Sequence, residues 1–420
     1  MENNLKSKPA SVHESGKKSK NNGSTIELKS DSTSTTKTET KNNSWQRLVG
    51  TVLFKDYDST PSTKIYAFDI DDTIITPKSG KKFAVNKDDW KIMYPNIKDE
   101  LKKHISNGFK IVFMSNQSGI GKGKTPEGDW KYKIDKIQEY LDIPFQVFAG
   151  IESDYYRKPS FGVWELMVEK YNGGLKVEKA TYIGDAAGRP KTSKHGKDFS
   201  DSDYKFSINC GIDFQLPEVF FLNEKPETLP KFVFDPRDFK GKTKILKDKS
   251  DDKLTSDGVE LVIFVGSPGS GKSTFYHNYF KNKGYGHVNQ DTLKTEQKCV
   301  KVMEDFLSNK NSCVIDNTNP KKEKRAVFIK AAEKYKVPIR CVFFDFPKDL
   351  IFHLNNCRDM NPHRDHHSKS VADVIIHTWY KNLERPTESE AGISEVLTVN
   401  FVPGPFSNDL DERCFYALSS

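Results

Sequence analysis

The chain's 420 residues exceed what one hydrophobic core usually serves, since domains hold about 100–200 residues each, so two domains and a tail are expected. Hydrophobic residues make up only 35%, with the shortfall concentrated at the front, and Lys plus Arg (66) exceed Asp plus Glu (58), a modest positive excess that suits polyanions. Six separated cysteines (Cys210, Cys299, Cys313, Cys341, Cys357, Cys414) with no CxxC pair argue against a zinc ribbon or a disulfide framework; with strand-sized apolar runs and no basic-then-apolar leader, a soluble intracellular protein without a membrane role is expected.

Residues 1–44 hold almost no large apolar side chains and no period of 2 or 3.6, so this Ser/Thr/Asn/Lys tract is expected to be a disordered tail. Its run Lys17, Lys18, Ser19, Lys20 is the candidate nuclear-import patch on which a nuclear location rests. From Trp45, short apolar β-branched runs (Ile65 to Phe68, Ile111 to Met114, Phe145 to Ala149, Thr181 to Ile183) alternate with longer amphipathic stretches. This is the βαβ rhythm of a parallel sheet covered by helices. A second series runs through Leu261 to Val265, Cys313 to Ile315, Arg340 to Phe344 and Val396 to Phe401. Asp235 to Asp257, rich in Lys, Asp and Gly, reads as a linker. The expected layout is α/β: two doubly wound parallel-sheet domains, at residues 45–234 and 258–420, after the tail and joined by the 235–257 linker.

Asp69-Ile70-Asp71-Asp72-Thr73 follows the first strand, so its carboxylates emerge at a strand's carboxyl end, where open α/β sheets bind ligands. In an extended segment Asp69 and Asp71 point the same way, two carboxylates that can share a cation while one attacks phosphorus and the other handles a proton. The strand Ile111 to Met114 ends in Ser115-Asn116-Gln117, offering a hydroxyl to a phosphoryl oxygen. Lys158, in Tyr156-Arg157-Lys158-Pro159, can offset charge on nucleophile and phosphate together. Asp185, after the strand ending at Ile183, supplies the further carboxylate that Mg²⁺ prefers. Roughly 40 residues separate Thr73 from Ser115 and Ser115 from Lys158, which leaves little room for a cap domain and suits the end of a polymer.

In the second half, Gly266-Ser267-Pro268-Gly269-Ser270-Gly271-Lys272-Ser273 fits GxxxxGK[ST] between a strand and a helix-compatible stretch from Thr274 to Lys281. Its backbone N–H groups would wrap the phosphates of ATP, Lys272 would reach the β/γ oxygens and Ser273 would ligate Mg²⁺, with Thr274 opening the helix. Asp291 is placed at a further strand end to take an acceptor proton, against the alternative of a helix N-cap. Asp316, in Val314 to Asn319, is a Walker B or acceptor-binding candidate, or else a structural turn. The cationic stretch His353 to His367, with Arg358 and Arg364, reads as a lid over the phosphates, and His363, His366 and His367 as a solvated loop rather than a metal site.

The order Asp-x-Asp-x-Thr, Ser-Asn, Lys, Gly-Asp resembles the haloacid dehalogenase superfamily of phosphatases. That resemblance implies an aspartyl-phosphate on Asp69, Asp71 as general acid and base, Ser115 and Lys158 as phosphate-binding groups, and Asp185 holding magnesium; Asp72 stands where many members have Gly. Over residues 45–415 the chain resembles the bifunctional polynucleotide phosphatase/kinase family of DNA-end repair. The stretches Thr76 to Phe83 (TPKSGKKF), Asp89 to Pro95 (DWKIMYP), Asn116 to Lys124 (NQSGIGKGK), Gly184 to Pro190 (GDAAGRP) and Ile315 to Pro320 (IDNTNP) carry it. The resemblance implies hydrolysis of 3′-phosphates and ATP-dependent phosphorylation of 5′-hydroxyls at DNA ends, with Asp291 as general base. An arginine is usual where Gln290 stands, and Arg358 is one lid arginine where two are typical. Animal members carry a forkhead-associated domain that residues 1–44 cannot form, so phosphopeptide docking is expected to be absent, and a monomer is expected.

The competing reading is a small-molecule phosphatase fused to a metabolite kinase, against which the missing cap space counts. A scaffold with dead sites would require lost catalytic groups, yet Asp69, Asp71, Lys158, Asp185, Lys272 and Ser273 all stand. Phe83 and Trp90 are candidate stacking partners for a terminal base, or core residues.

Overall fold

Two β-sheets, each centred on strands whose side chains are buried on both faces, carry the described residues of the computed structural model, 44–193, 195–362 and 370–419. The first sheet contains β1 (Gln46–Leu48), β2 (Val52–Tyr57), β3 (Lys64–Phe68), β6 (Lys110–Asn116), β7 (Phe145–Gly150), β8 (Lys179–Ile183) and β9 (Asp213–Gln215), in the order β1-β2-β7-β6-β3-β8-β9. A separate hairpin pairs β4 (Ile75–Thr76) with β5 (Lys91–Ile92). The second sheet contains β10 (Leu261–Val265), β11 (Gly286–Val288), β12 (Cys313–Ile315), β13 (Ile339–Phe343) and β14 (Glu395–Thr398), in the order β11-β12-β10-β13-β14. Asn42–Ser420 form one compact unit that holds both sheets.

The runs of apolar residues become parallel strands because a parallel sheet is covered on both faces. Alternation divides them: Ile111 and Phe113 of β6 enter one core with the helices Ile97–Ser106 and Glu127–Leu141, whereas Val112 and Met114 enter the opposite core with Gly162–Tyr171 and Ser202–Cys210. Leu261, Ile263 and Val265 of β10 likewise face one core and Val262 and Phe264 the other. The second sheet is parallel throughout, but the first gains an antiparallel edge, since β2 runs against β7 and β1 against β2.

In each sheet the first parallel strand in chain order is an internal one. β3 sits between β6 and β8, and β10 between β12 and β13, so successive connections depart in opposite directions and leave a crevice at the carboxyl ends. Between Asp69 and the helix Ile97–Ser106 the chain inserts only the β4–β5 hairpin and its loop. Asp89 braces that loop by accepting from Ser79 N (2.7 Å), Ser79 Oγ (2.7 Å) and Val85 N (2.9 Å). No cap domain stands over the crevice among the described residues.

The stretch read as a linker is not loose chain. Leu246 and Leu254 are buried in the second sheet's core, Leu246 bridges Val399, and Arg340 donates to Lys253 O (2.7 Å) and Leu254 O (3.1 Å). Its polar composition hid two apolar anchors. All six cysteines are free thiols, and no described helix is long and apolar enough to cross a membrane. The tail and its Lys17–Lys20 run, together with Arg364 and the three histidines His363, His366 and His367, lie outside the described residues.

Arg325, fully buried, pins the loop after β12: Nε donates to Glu390 (2.9 Å), and Nη1 to Asn319 O (3.1 Å) and Pro320 O (3.3 Å). Arg325→Ala strands the Glu390 carboxylate and two carbonyls, and should lower the stability of the second half by about 3–5 kcal/mol in urea unfolding.

Candidate active sites

At the crevice of the first sheet, Asp69 follows β3 directly and its N–H donates to Ile183 O of β8 (2.9 Å). Its Oδ1 lies 2.8 Å from Lys158 Nζ, and the same ammonium lies 2.8 Å from Asp203 Oδ1. Lys158 also donates to the Tyr182 hydroxyl, which passes a hydrogen bond to Met114 O (2.8 Å). Asn116 fixes the lysine's backbone from both sides, donating to Lys158 O (2.8 Å) and accepting from Lys158 N (3.0 Å). Asp185 follows β8 and accepts from Thr73 Oγ1 at 3.4 Å.

Carboxylate oxygens of Asp69, Asp185 and Asp203 lie within 4.8 Å of one another. Three carboxylates, Asp203 buried and Asp69 and Asp185 partly buried, beside one ammonium leave negative charge in excess, and a donor set of hard oxygens fits Mg²⁺. The electrostatics agree. Burial pushes the Asp69 carboxyl up to about 7, Lys158 opposing and the Asp203 and Asp71 charges adding to the rise. Burial, then the Asp203 and Asp69 charges, hold Asp185 well above the carboxylate range. Burial works against the Lys158 charge, but Asp203 and Asp69 keep its pKa above the ordinary value. A divalent cation would relieve the same repulsion.

Asp71 departs from expectation. The chain leaves its extended course at Ile70, which is buried and whose carbonyl accepts from Ile74 N (2.9 Å) and Ile75 N (3.0 Å), although the Asp71 charge still reaches Asp69. The Asp71 carboxylate is half-exposed, accepts from Gln117 Nε2 (2.8 Å) and pairs with Lys133 Nζ (3.3 Å); it is not in the metal-ready cluster. That suits a proton carrier better than a cation ligand. Ser115, buried, stands beside it and accepts from Gln117 Nε2 (3.0 Å).

The second centre is a cleft of about 850 Å³. Pro268, Gly269, Gly271, Lys272, Ser273 and Thr274 line it, as do Asp291, Asp316 and Arg358, whereas Ser267 and Ser270 are buried beneath the loop and Gly266 does not line the cleft. Gly269 and Gly271 have φ +81° and +80°, a left-handed backbone that lets the loop turn its N–H groups inward. Lys272 Nζ folds onto the loop's own carbonyls, Gly266 O (3.1 Å) and Ser267 O (2.8 Å). Ser273 Oγ donates to Asp316 Oδ2 at 2.6 Å, the contact a Walker B carboxylate makes. His287 Nε2 (2.9 Å) and Asn289 Nδ2 (3.1 Å) meet the same oxygen. Burial disfavours the Asp316 charge, but these bonds and the Lys272 ammonium hold its pKa below the usual range.

Asp291 is not the helix cap: Asn289 fills that role, accepting from Asp291 N (2.8 Å) and Thr292 N (3.3 Å), which leaves the Asp291 carboxylate to the cleft. His353, taken with the cationic lid, is instead buried in the helix Lys348–Met360 and bonded to Phe415 O (2.7 Å).

Sequence reading missed Asp203, Lys133 and His287. Asp203 opens a helix, where an acidic residue reads as ordinary complement to the helix dipole. Lys133 lies on the helix Glu127–Leu141 between apolar Trp130 and Ile134, and a lysine on a buried face was the available signal.

Residues 64–221 match the family described as polynucleotide kinase 3 phosphatase, and residues 261–377 an AAA domain family. A bifunctional polynucleotide phosphatase/kinase of Schizosaccharomyces pombe is 34% identical over 342 residues, covering 80% of each chain. The chain belongs to the bifunctional polynucleotide phosphatase/kinase family. A polynucleotide 3′-phosphatase of Arabidopsis thaliana is 35% identical over 190 residues, 41% of this chain and 26% of that one. A polynucleotide 3′-phosphatase of Saccharomyces cerevisiae is 29% identical over 212 residues, 37% of this chain and 87% of that one.

Asp72, where many haloacid dehalogenase phosphatases have Gly, sits at φ +56°. Glycine suits that region without strain, and aspartate tolerates it through local hydrogen bonds, here by accepting from Thr76 Oγ1 (3.0 Å). Gln290 donates its backbone N–H to Asn317 Oδ1 (2.9 Å).

A Cβ at Gly184 would meet Asp203 Oδ2 at 2.3 Å. Gly184→Ala should displace Asp203 from Lys158 and lower phosphatase kcat by roughly 100-fold while most kinase activity remains. Burial pulls the Lys272 ammonium down to about 8, with Asp316 and Asp291 opposing and Arg358 adding. The charged form is therefore lost as pH rises through that value, and ATP affinity, measured by nucleotide titration, should begin to fall near pH 8 rather than near the ordinary lysine pKa.

Proposed function

We propose that the protein mends nucleic-acid ends in two reactions, hydrolysing a 3′-phosphate in the first centre and phosphorylating a 5′-hydroxyl with ATP in the second. The observation that carries this is the presence, in one family member, of two separate and complete catalytic constellations, each at the carboxyl edge of its own sheet.

In the first centre Asp69 attacks phosphorus. The new Asp69 O–P bond forms as the P–O3′ bond breaks, and Asp71 gives its proton to the leaving oxygen. Asp71 then takes a proton from water, which attacks the aspartyl-phosphate, releases phosphate and restores Asp69. Lys158 favours the ionised form of Asp69 against burial and aims it, and Ser115 offers its hydroxyl to a phosphoryl oxygen. Asp69 and Asp185, with Asp203 adjacent, would hold Mg²⁺, which when bound neutralises charge on the phosphoryl group.

In the second centre Asp291 takes the proton of the 5′-hydroxyl as its oxygen attacks the γ-phosphorus and ADP departs. Lys272 and Arg358 bind the transferring phosphates, and Ser273 with Asp316 would hold the second site's Mg²⁺.

A strand-shaped substrate is favoured over a small phosphate ester by the mouth of the first crevice. Phe83 (67% exposed) and Phe199 (71% exposed) meet edge to face at 6.1 Å, with Lys82 Nζ 4.4 Å from the Phe199 ring. They stand on the loops that follow Asp69 and Asp185, where an unpaired base finds rings to stack on and an ammonium for its phosphate. Trp90, by contrast, packs against the core. DNA is the proposed nucleic acid, and the Lys17–Lys20 run supports a proposed nuclear location.

With an oligonucleotide bearing a 3′-phosphate and a 5′-hydroxyl, Asp69→Ala should abolish phosphate release and spare transfer from ATP, and Lys272→Ala should do the reverse. Loss of both activities from either folded variant, or a wild type inert toward oligonucleotides, defeats the reading.

A further inference from the structure

The helix Ser202–Cys210 has two functional ends. Asp203 in its first turn bonds Lys158 Nζ through Oδ1 (2.8 Å) and accepts from Ala186 N through Oδ2 (3.1 Å). Asn209 in its last turn donates to Pro159 O (2.8 Å), the carbonyl next to Lys158, and also to Leu418 O (2.9 Å), while its own oxygen accepts from Leu418 N (2.8 Å). Both N–H groups and the oxygen are thus engaged, which only a carboxamide in one orientation can do.

Leu418 belongs to the kinase half. The segment 413–419 is wedged between the two sets of catalytic elements, with Ala417 and Leu418 buried. On the phosphatase side Lys205 Nζ donates to Ser419 O (2.7 Å), and the Arg413 guanidinium pairs with Glu165 and stacks on Phe161 (4.4 Å). On the kinase side His353 meets Phe415 O through Nε2 (2.7 Å) and Ser419 Oγ through Nδ1 (3.0 Å). His353 shares the helix Lys348–Met360 with Arg358 of the ATP cleft. Tyr155 and Phe161 of one half and Met360, Cys414 and Ala417 of the other form a shared apolar cluster around these bonds.

We infer that segment 413–419 is a clip that positions the phosphatase lysine through Asn209 and steadies the Arg358 helix, making turnover in the first centre depend on residues of the kinase half. Asn209 and Leu418 are positioning residues, since neither reaches the reacting atoms. Asn116 holds the Lys158 backbone and Asn209 the next carbonyl, so releasing Asn209 lets the lysine drift relative to Asp69 without removing a group that contacts the phosphate. The effect belongs in kcat rather than KM.

The inference rests on the phosphatase reading above, and the experiment separates the two. In the full chain, Asn209→Asp keeps the shape but turns the donor facing Pro159 O and Leu418 O into an acceptor. Lys205→Met removes the bond to Ser419 O from a more peripheral position. Asn209→Asp should lower kcat for phosphate release from a 3′-phosphorylated oligonucleotide by roughly thirtyfold with KM within about twofold, and raise the kinase KM for ATP by roughly threefold. Lys205→Met should lower the same kcat by roughly threefold. A kcat for Asn209→Asp within about twofold of wild type, or a loss confined to KM, overturns the clip. Should Asn209→Asp show no cooperative melt, Lys205→Met decides, and an unchanged kcat sinks the idea. Should the wild type release no phosphate, the phosphatase reading fails on its own. The clip is then tested by amide hydrogen exchange over residues 156–160, faster in Asn209→Asp if it holds and unaltered if it does not.

Discussion

The Lys158 ammonium, buried and shared between Asp69 and Asp203, is the interaction on which the first half of the molecule depends. A buried cation is costly unless each of its protons meets an acceptor, and here two carboxylates and the Tyr182 hydroxyl supply them. Meeting that demand brings together β3, the loop after β7, β8 and the helix Ser202–Cys210. The same contacts hold the Asp69 carboxylate still and oppose the burial that raises its pKa.

The second half solves a related problem with the charges reversed. Asp316 is its buried anion, and Ser273, His287 and Asn289 converge on one of its oxygens. Lys272 rests on loop carbonyls, so phosphate oxygens entering the cleft compete with weak neutral acceptors rather than with a carboxylate. In the first centre the lysine is locked to its carboxylate; in the second it is left ready to change partners. The difference lies in the acceptors, since carboxylates hold one ammonium and neutral carbonyls the other.

Neither crevice is roofed by an inserted domain among the described residues, and the two halves form a single compact unit. The segment 413–419 makes that unit more than a tether, because its hydrogen bonds run from the helix bearing Arg358 to the helix bearing Asp203.

Much of this was legible in the sequence. Buried parallel strands announce themselves as unbroken apolar runs, and the residues after them, Asp69, Asp185, Lys272 and Asp316, stand at carboxyl ends whatever the details of packing. What tertiary structure alone decided was direction and partnership. Asp71 is left out of the carboxylate cluster and meets Gln117 and Lys133 instead, partners that an alternation rule cannot supply. Asp203 joins the site from a helix 134 residues beyond Asp69, and Asn209 meets Leu418 across 209 residues. Such contacts leave no local pattern, since hydrogen-bond partners distant in sequence are set by how the sheets and helices pack, whereas periodicity and strand-end motifs are properties of the chain over a few residues.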